Sequence, residues 1–269
     1  MHGRLERYPR FTSQHVAARP VDVWLPPGYP TVAPRYPVLY MHDGQNLFLP
    51  EEANTGIDWG IDPALADLIA RRVVPPAIVV GIGNTAQRQR EYMPQKPLAD
   101  GSPAEERALQ DSQLDGPPMS DAYLRFLLTE LKPLVDHTYP TRPEREATFI
   151  MGSSMGGLIS LYALCEYPAY FAGAGCLSTH WPAGAGIVVD YLRTALPRPG
   201  SHKIYFDHGT ETLDALYAPY QQQVDVVMAT AGYTAGEDWI TRLFPGARHD
   251  EASWRERVTV PLTFLLSEG

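Results

Sequence analysis

One pentapeptide restricts the folds open to this chain more than any other stretch. Gly152-Ser153-Ser154-Met155-Gly156 is a G-x-S-x-G sequence, preceded by the short apolar run Ala147-Thr148-Phe149-Ile150-Met151. After it comes Gly157-Leu158-Ile159-Ser160-Leu161-Tyr162-Ala163-Leu164-Cys165, which reads as a buried helix. A strand that turns sharply into a helix is the setting in which this motif presents a serine hydroxyl as a nucleophile. A β-carbon at Gly152 or Gly156 is expected to crowd the neighbouring strand or helix. The free N–H groups at the helix start suit a developing oxyanion. The competing reading is a plain helix start with Ser153 or Ser154 as N-cap; the flanking strand and helix favour the elbow.

Around the pentapeptide, apolar strand-like runs alternate with helix-like patterns. Strands are expected at residues 21–25 (an edge or half-buried strand), 36–41, 77–82, 147–151, 173–177, 203–207 and 238–244. Helices are expected at 61–73, 120–139, the stretch after the elbow, 186–196, 219–231, and 251–266 interrupted at Pro261. Such alternation, with continuous apolar strands, implies a mostly parallel central sheet with helices on both faces. Neither a repeat nor a linker divides the sequence, so residues 1–269 are expected to form a single α/β domain. Residues 84–118 are the irregular part: polar, punctuated by proline and without a period. They leave the C-terminal end of a central strand, where ligands bind in open α/β sheets, and read either as an active-site cover or as a surface excursion with no catalytic part.

Net charge is -9, without a basic cluster. Nucleic acid and anionic membranes are therefore not expected as partners. No segment is long and apolar enough to span a bilayer. The first nine residues carry no apolar core of a secretory signal, which makes the cytoplasm the expected location. Cys165 and Cys176 sit in apolar runs and read as buried small side chains rather than a disulfide or metal site.

A serine nucleophile needs a base, usually histidine, and a group that orients it. His249, in the turn Pro245-Gly246-Ala247-Arg248-His249-Asp250-Glu251, follows the last strand and fits the chain order Ser, acid, His. His208 is a rival but occupies the loop where the acid belongs. Asp207, Glu211 and Asp214 compete for the acid; Asp207 reads as the end of its strand, Asp214 is favoured, and Glu211 is the alternative. The oxyanion needs two N–H donors. Met155, which follows the nucleophile, supplies one; the loop His42-Asp43-Gly44-Gln45-Asn46-Leu47-Phe48 supplies the other, expected at Gln45. His42, Asp43, Gly44, His180 and Trp181 are expected to shape the substrate pocket. No metal-binding spacing motif is present, and no cofactor is required.

With these pieces in place the chain resembles the putative esterase family of α/β-hydrolases, which includes esterase D-like, feruloyl and enterobactin esterase-like enzymes. The matching stretches are Trp24-Leu25-Pro26-Pro27-Gly28-Tyr29, the segment from Tyr40 to Phe48, the segment from Gly152 to Leu158, and the segment from Gly246 to Trp254. The resemblance implies Ser154 as nucleophile, His249 as base, and the Gly44-Gln45 loop as part of the oxyanion hole. In one place the chain departs from it: many relatives carry an aspartate where this chain has Thr212, so both Asp214 and Glu211 stay open. The expected activity is that of a serine carboxylic-ester hydrolase acting through an acyl-enzyme on small, aryl or sugar esters. An acyltransferase or thioesterase on the same triad is the alternative, and a non-catalytic hydrolase-fold binding protein a third reading.

Overall fold

Which side of the sheet a residue serves follows from its place along the strand. In the computed structural model, which describes residues 2–99 and 114–267, successive side chains alternate between two cores, as a period of two requires. On β3 (Val38–His42), Val38 and Tyr40 enter one core, Leu39 and Met41 the other. On β4 (Ile78–Ile82), Ile78, Val80 and Ile82 face the first and Val79 the second. Both faces are covered, so these strands are apolar throughout.

Eight described strands form one sheet in the order β1-β2-β4-β3-β5-β6-β7-β8. The others are β1 (Arg4–Phe11), β2 (Arg19–Leu25), β5 (Thr148–Ser153), β6 (Gly173–Leu177), β7 (Lys203–His208) and β8 (Trp239–Leu243). β1 pairs antiparallel with β2, and β2 with β4; every other pairing is parallel. The first core lies under α3 (Ser120–Phe126), α4 (Lys132–Thr138), α5 (Met155–Glu166), α6 (Ile187–Ala195) and α7 (Ala218–Thr230), which follow α1 (Ile61–Ala70) and the short α2 (Arg88–Tyr92) in the chain. The second lies under α1, α8 (Glu251–Arg257) and α9 (Thr259–Leu266). The expected sheet with helices on both faces is what forms.

Three elements differ from expectation. β2 is an interior strand; the edge belongs to β1, none of whose residues is buried and whose pairing is irregular between Tyr8 and Phe11, around Pro9. Charge, proline and irregularity are how edge strands avoid further pairing, and they hide the strand from a hydrophobic pattern. The helix expected over residues 120–139 is continuous but contains a π turn at Leu127–Leu131 before α4. Pro133 removes an N–H and pushes on the preceding turn, and the wider turn absorbs this. The terminal helix breaks at Val258, ahead of Pro261. Proline tolerates only the first turn of a helix, so α9 restarts just before it.

Residues 84–99 and 114–118 of the irregular segment are described. They contain α2 and a helical turn at Lys96–Ala99. Glu91 of α2 forms a fully buried ion pair with Arg19, 2.6 Å apart, and the Arg19 guanidinium lies over the Tyr123 ring. The rest of the candidate cover, residues 100–113, lies outside the described residues. Among the described residues no helix is long and apolar enough to cross a membrane. Cys165 and Cys176 are free and buried.

Candidate active site

The turn between β5 and α5 puts Ser154 in a conformation that side chains resist, with φ 57° and ψ −123°. Such a residue costs on the order of 1–3 kcal/mol and persists only where its surroundings hold it. Here the Ser154 N–H donates to the Leu177 carbonyl (2.9 Å), while the Ser154 carbonyl accepts from Gly157 and His180. A β-carbon on Gly152 would lie 2.8 Å from the Gly156 backbone, so that glycine is required by contact with the helix. Gly156 differs from expectation: its β-carbon would meet nothing closer than 3.4 Å, an ordinary contact. The second crowded glycine is Gly157, whose β-carbon would lie 2.7 Å from the Thr179 hydroxyl.

His249 approaches from the loop after β8. Its Nδ1 lies 2.6 Å from Asp214 Oδ1. Two backbone N–H groups, of Thr210 and Glu211, donate to the Ala247 carbonyl. The Thr210 and Thr212 hydroxyls accept from Gly246 and His249 N–H. These bonds join the loop after β7 to the histidine loop. Asp214 sits on the turn Thr212–Leu216 and is fully buried, whereas Glu211, the residue just before that turn, is exposed. The second Asp214 oxygen accepts from the Ser178 hydroxyl (2.7 Å) and the Gly209 N–H (2.6 Å). Burial alone would raise the Asp214 pKa, but the bonds from His249, Ser178 and Gly209 outweigh it and hold the carboxyl below its ordinary value.

Behind Asp214 lies a layer that the sequence pattern did not reveal. Ser178 accepts from Trp254 Nε1 (3.0 Å) and from the Arg257 guanidinium (2.8 Å). Arg257 also bonds Asp207 through two nitrogens, each at 3.1 Å. Burial pushes the Asp207 carboxyl up, with Arg257 opposing. Asp207 thus serves this buried pair rather than His249. The Trp254 ring packs edge-on against His249, with centroids 5.1 Å apart.

Tyr217 was also missed. Its hydroxyl is 2.9 Å from His180 Nδ1. Its ring stands edge-on to His249 at 5.7 Å. Burial pushes the Tyr217 hydroxyl far up, so it stays a neutral donor and acceptor. Burial, with the nearby His249, pushes His180 down to about 4.

A cavity of about 160 Å³ contains Ser154 and His249, with Asp43, Asn46, Arg88 and Glu251 around it. Asp43 follows β3 and has φ 55°. Both its oxygens bond the Arg88 guanidinium (2.7 and 2.8 Å), and Asn84 adds a third bond at 2.7 Å. Burial opposes ionisation of Asp43, but Arg88 prevails and holds the carboxyl below its usual value. Arg88 and Asn84 belong to the irregular segment, whose first residues therefore border the cavity. Gly44 packs against β4, where a β-carbon would come within 2.6 Å of Gly81. Gln45 lies between Asp43 and Asn46, and its side-chain oxygen accepts from Asn84 N–H. Met155 is the first residue of α5.

Of the five expected pocket residues only Asp43 lines this cavity, and two are buried in the layers around it. Trp181 is buried in the first core, bonded to Gln221 and packed on Phe206. His42 is buried between Tyr92 and Tyr123, with Nδ1 2.8 Å from the Tyr123 hydroxyl. Burial pushes its pKa down to about 3. His208 is also buried, its Nδ1 turned to the Gly209 carbonyl. Among the described residues no group of histidine, cysteine and carboxylate side chains could hold a metal ion.

Residues 17–262 match the model of the family described as "Putative esterase", and the chain belongs to that family. It is 25% identical to the uncharacterized protein YbbA of Bacillus subtilis (strain 168), over 74% of this chain and 71% of that one. A structure described as a ferulic acid esterase superposes with a TM-score of 0.68 at 18% identity, covering 99% of both chains. The enterobactin esterase FES from Shigella flexneri, solved in the presence of enterobactin, gives 0.72 at 21% identity. That match covers 97% of this chain but only 58% of FES. The fold is the α/β-hydrolase fold.

Proposed function

We propose that this member of the esterase family is a serine carboxylic-ester hydrolase, with Ser154 as nucleophile, His249 as general base and Asp214 as the orienting acid. One observation carries the reading: a strained Ser154 shares a cavity with His249, whose far nitrogen lies 2.6 Å from a buried carboxylate. With Asp214 ionised, His249 Nδ1 is the donor and Nε2 is left free to accept the serine proton. Ser154 Oγ attacks the acyl carbon as His249 takes its proton. The Met155 and Gln45 N–H groups receive the oxyanion. The alcohol leaves with the proton from His249, giving an acyl-enzyme. Water, deprotonated by His249, then attacks the acyl carbon, and His249 passes that proton to the departing Ser154 Oγ as the carboxylic acid is released. The esterase names of the structural neighbours support ester hydrolysis as the reaction, and small-molecule esters as the substrates.

Ser154→Ala tests this. Turnover of an activated short-chain ester should fall by about 10⁴-fold or more, with the circular dichroism spectrum unchanged. Near-wild-type turnover by the folded variant would reject Ser154 as nucleophile.

A further inference from the structure

Glu251 is not needed by the reaction as written, yet it faces the same cavity as Ser154 and His249. Its residue is 7% exposed. One oxygen accepts from Asn46 Nδ2 at 3.3 Å, the other from the Thr55 hydroxyl at 3.0 Å. Both donors are neutral, and each oxygen keeps a lone pair. Among the described residues no cation lies within ion-pair distance of it. The Arg88 guanidinium in the same cavity is engaged on both oxygens of Asp43 and reaches Glu251 only through space. The cavity therefore holds one carboxylate, Glu251, with no cation bonded to it and two neutral donors fixing it in place. A buried carboxylate is costly unless it is paired.

Resting on the serine-esterase reading, we propose that Glu251 is a specificity-determining residue that receives a primary ammonium group of the substrate, close to the scissile ester. The volume, about 160 Å³, is that of a cavity which accepts a six-carbon ring, roughly 150 Å³. The ammonium-bearing part is thus small, of the size of an aminoacyl or amino-alcohol unit. A protein of net charge -9 also draws cationic substrates toward it.

The test compares kcat/KM of the full chain for two isosteric pairs at about pH 6.5, where primary amines are protonated. One pair is phenyl 3-aminopropanoate and phenyl butanoate; the other is 2-aminoethyl acetate and propyl acetate. The ammonium-bearing member of at least one pair should be favoured roughly tenfold or more, as a charged hydrogen bond in a buried site implies. That ratio should fall toward unity in Glu251→Gln and be partly kept in Glu251→Asp. If neither variant folds, inhibition decides: propylammonium, and not propanol, should compete with phenyl butanoate on the wild-type enzyme. Wild-type hydrolysis of all four esters without preference, or a preference unchanged in Glu251→Gln, would overturn this inference alone. No hydrolysis of any of them would overturn the esterase reading and this inference with it.

Discussion

Asp214→Asn separates orientation of the base from every other feature of the site. The amide has the carboxylate's shape but replaces one acceptor with a donor. Asp214 Oδ2 faces two donors, the Ser178 hydroxyl and the Gly209 N–H, whereas Oδ1 faces one nitrogen, His249 Nδ1. Ser178 already accepts from Trp254 and Arg257, so it has little freedom to turn and receive an N–H. The amide oxygen therefore takes the side of Ser178 and Gly209, and the NH₂ group faces His249. Nδ1 must then accept, the ring proton moves to Nε2, and the imidazole cannot take the proton of Ser154. Loss of orientation of this kind costs about 10⁴ in kcat in serine hydrolases of other folds, or about 5 kcal/mol at 1.36 kcal/mol per tenfold. The assay is steady-state hydrolysis of 4-nitrophenyl acetate with kcat and KM resolved, alongside circular dichroism. KM should change little. Glu211→Gln, at an exposed position, is the control and should stay within about twofold of wild type. A folded Asp214→Asn enzyme within tenfold of wild type in kcat would refute the argument, as would a crippled Glu211→Gln.

Two further outcomes follow from the same geometry. Tyr217→Phe removes the hydroxyl that bonds His180 from a ring packed edge-on to His249 and should lower kcat by about fivefold, the worth of one neutral hydrogen bond, with KM little changed; a loss confined to KM would assign Tyr217 to substrate binding instead. Stability should fall as pH drops from about 6.5 toward 3, because the unfolded His42 takes up a proton in that window whereas burial keeps the folded ring neutral down to about 3. His42 alone contributes a slope of about 1.4 kcal/mol per pH unit. Urea unfolding of wild type and His42→Phe at several pH values should differ by one proton in slope; parallel curves would contradict the burial argument.

The order of strands and helices was legible because most strands lie between two cores and read as unbroken apolar runs. β1 was not, since an edge strand with charge and proline carries no such signal. The partners in the site were legible to the extent that each sits on a loop at the C-terminal end of a strand. Ser154 announced itself through the turn that strains it, and His249 through its place after the last strand. Asp214 could be ranked but not separated from Glu211, because the turn at Thr212–Leu216, with φ 54° at Thr212, decides which of the two points inward. Ser178, Arg257, Tyr217 and Glu251 stayed hidden. Their roles come from contacts between loops and helices far apart in the chain, which residue type and spacing do not encode. His42 and Trp181 misled in the opposite way: they neighbour cavity or loop residues in sequence, but their side chains turn into the layers beneath.

The central claim is that the reaction passes through an ester on Ser154. Rapid quenching of the enzyme in acid during turnover of 4-nitrophenyl acetate, followed by peptide mass spectrometry, reads this directly. An acetyl group is expected on the peptide containing Gly152-Ser153-Ser154-Met155-Gly156, at Ser154 and not Ser153, accumulating further in Asp214→Asn if deacylation slows more than acylation and absent in Ser154→Ala. An actively hydrolysing enzyme that carries no acyl group on Ser154, or carries it on another residue, would contradict the account.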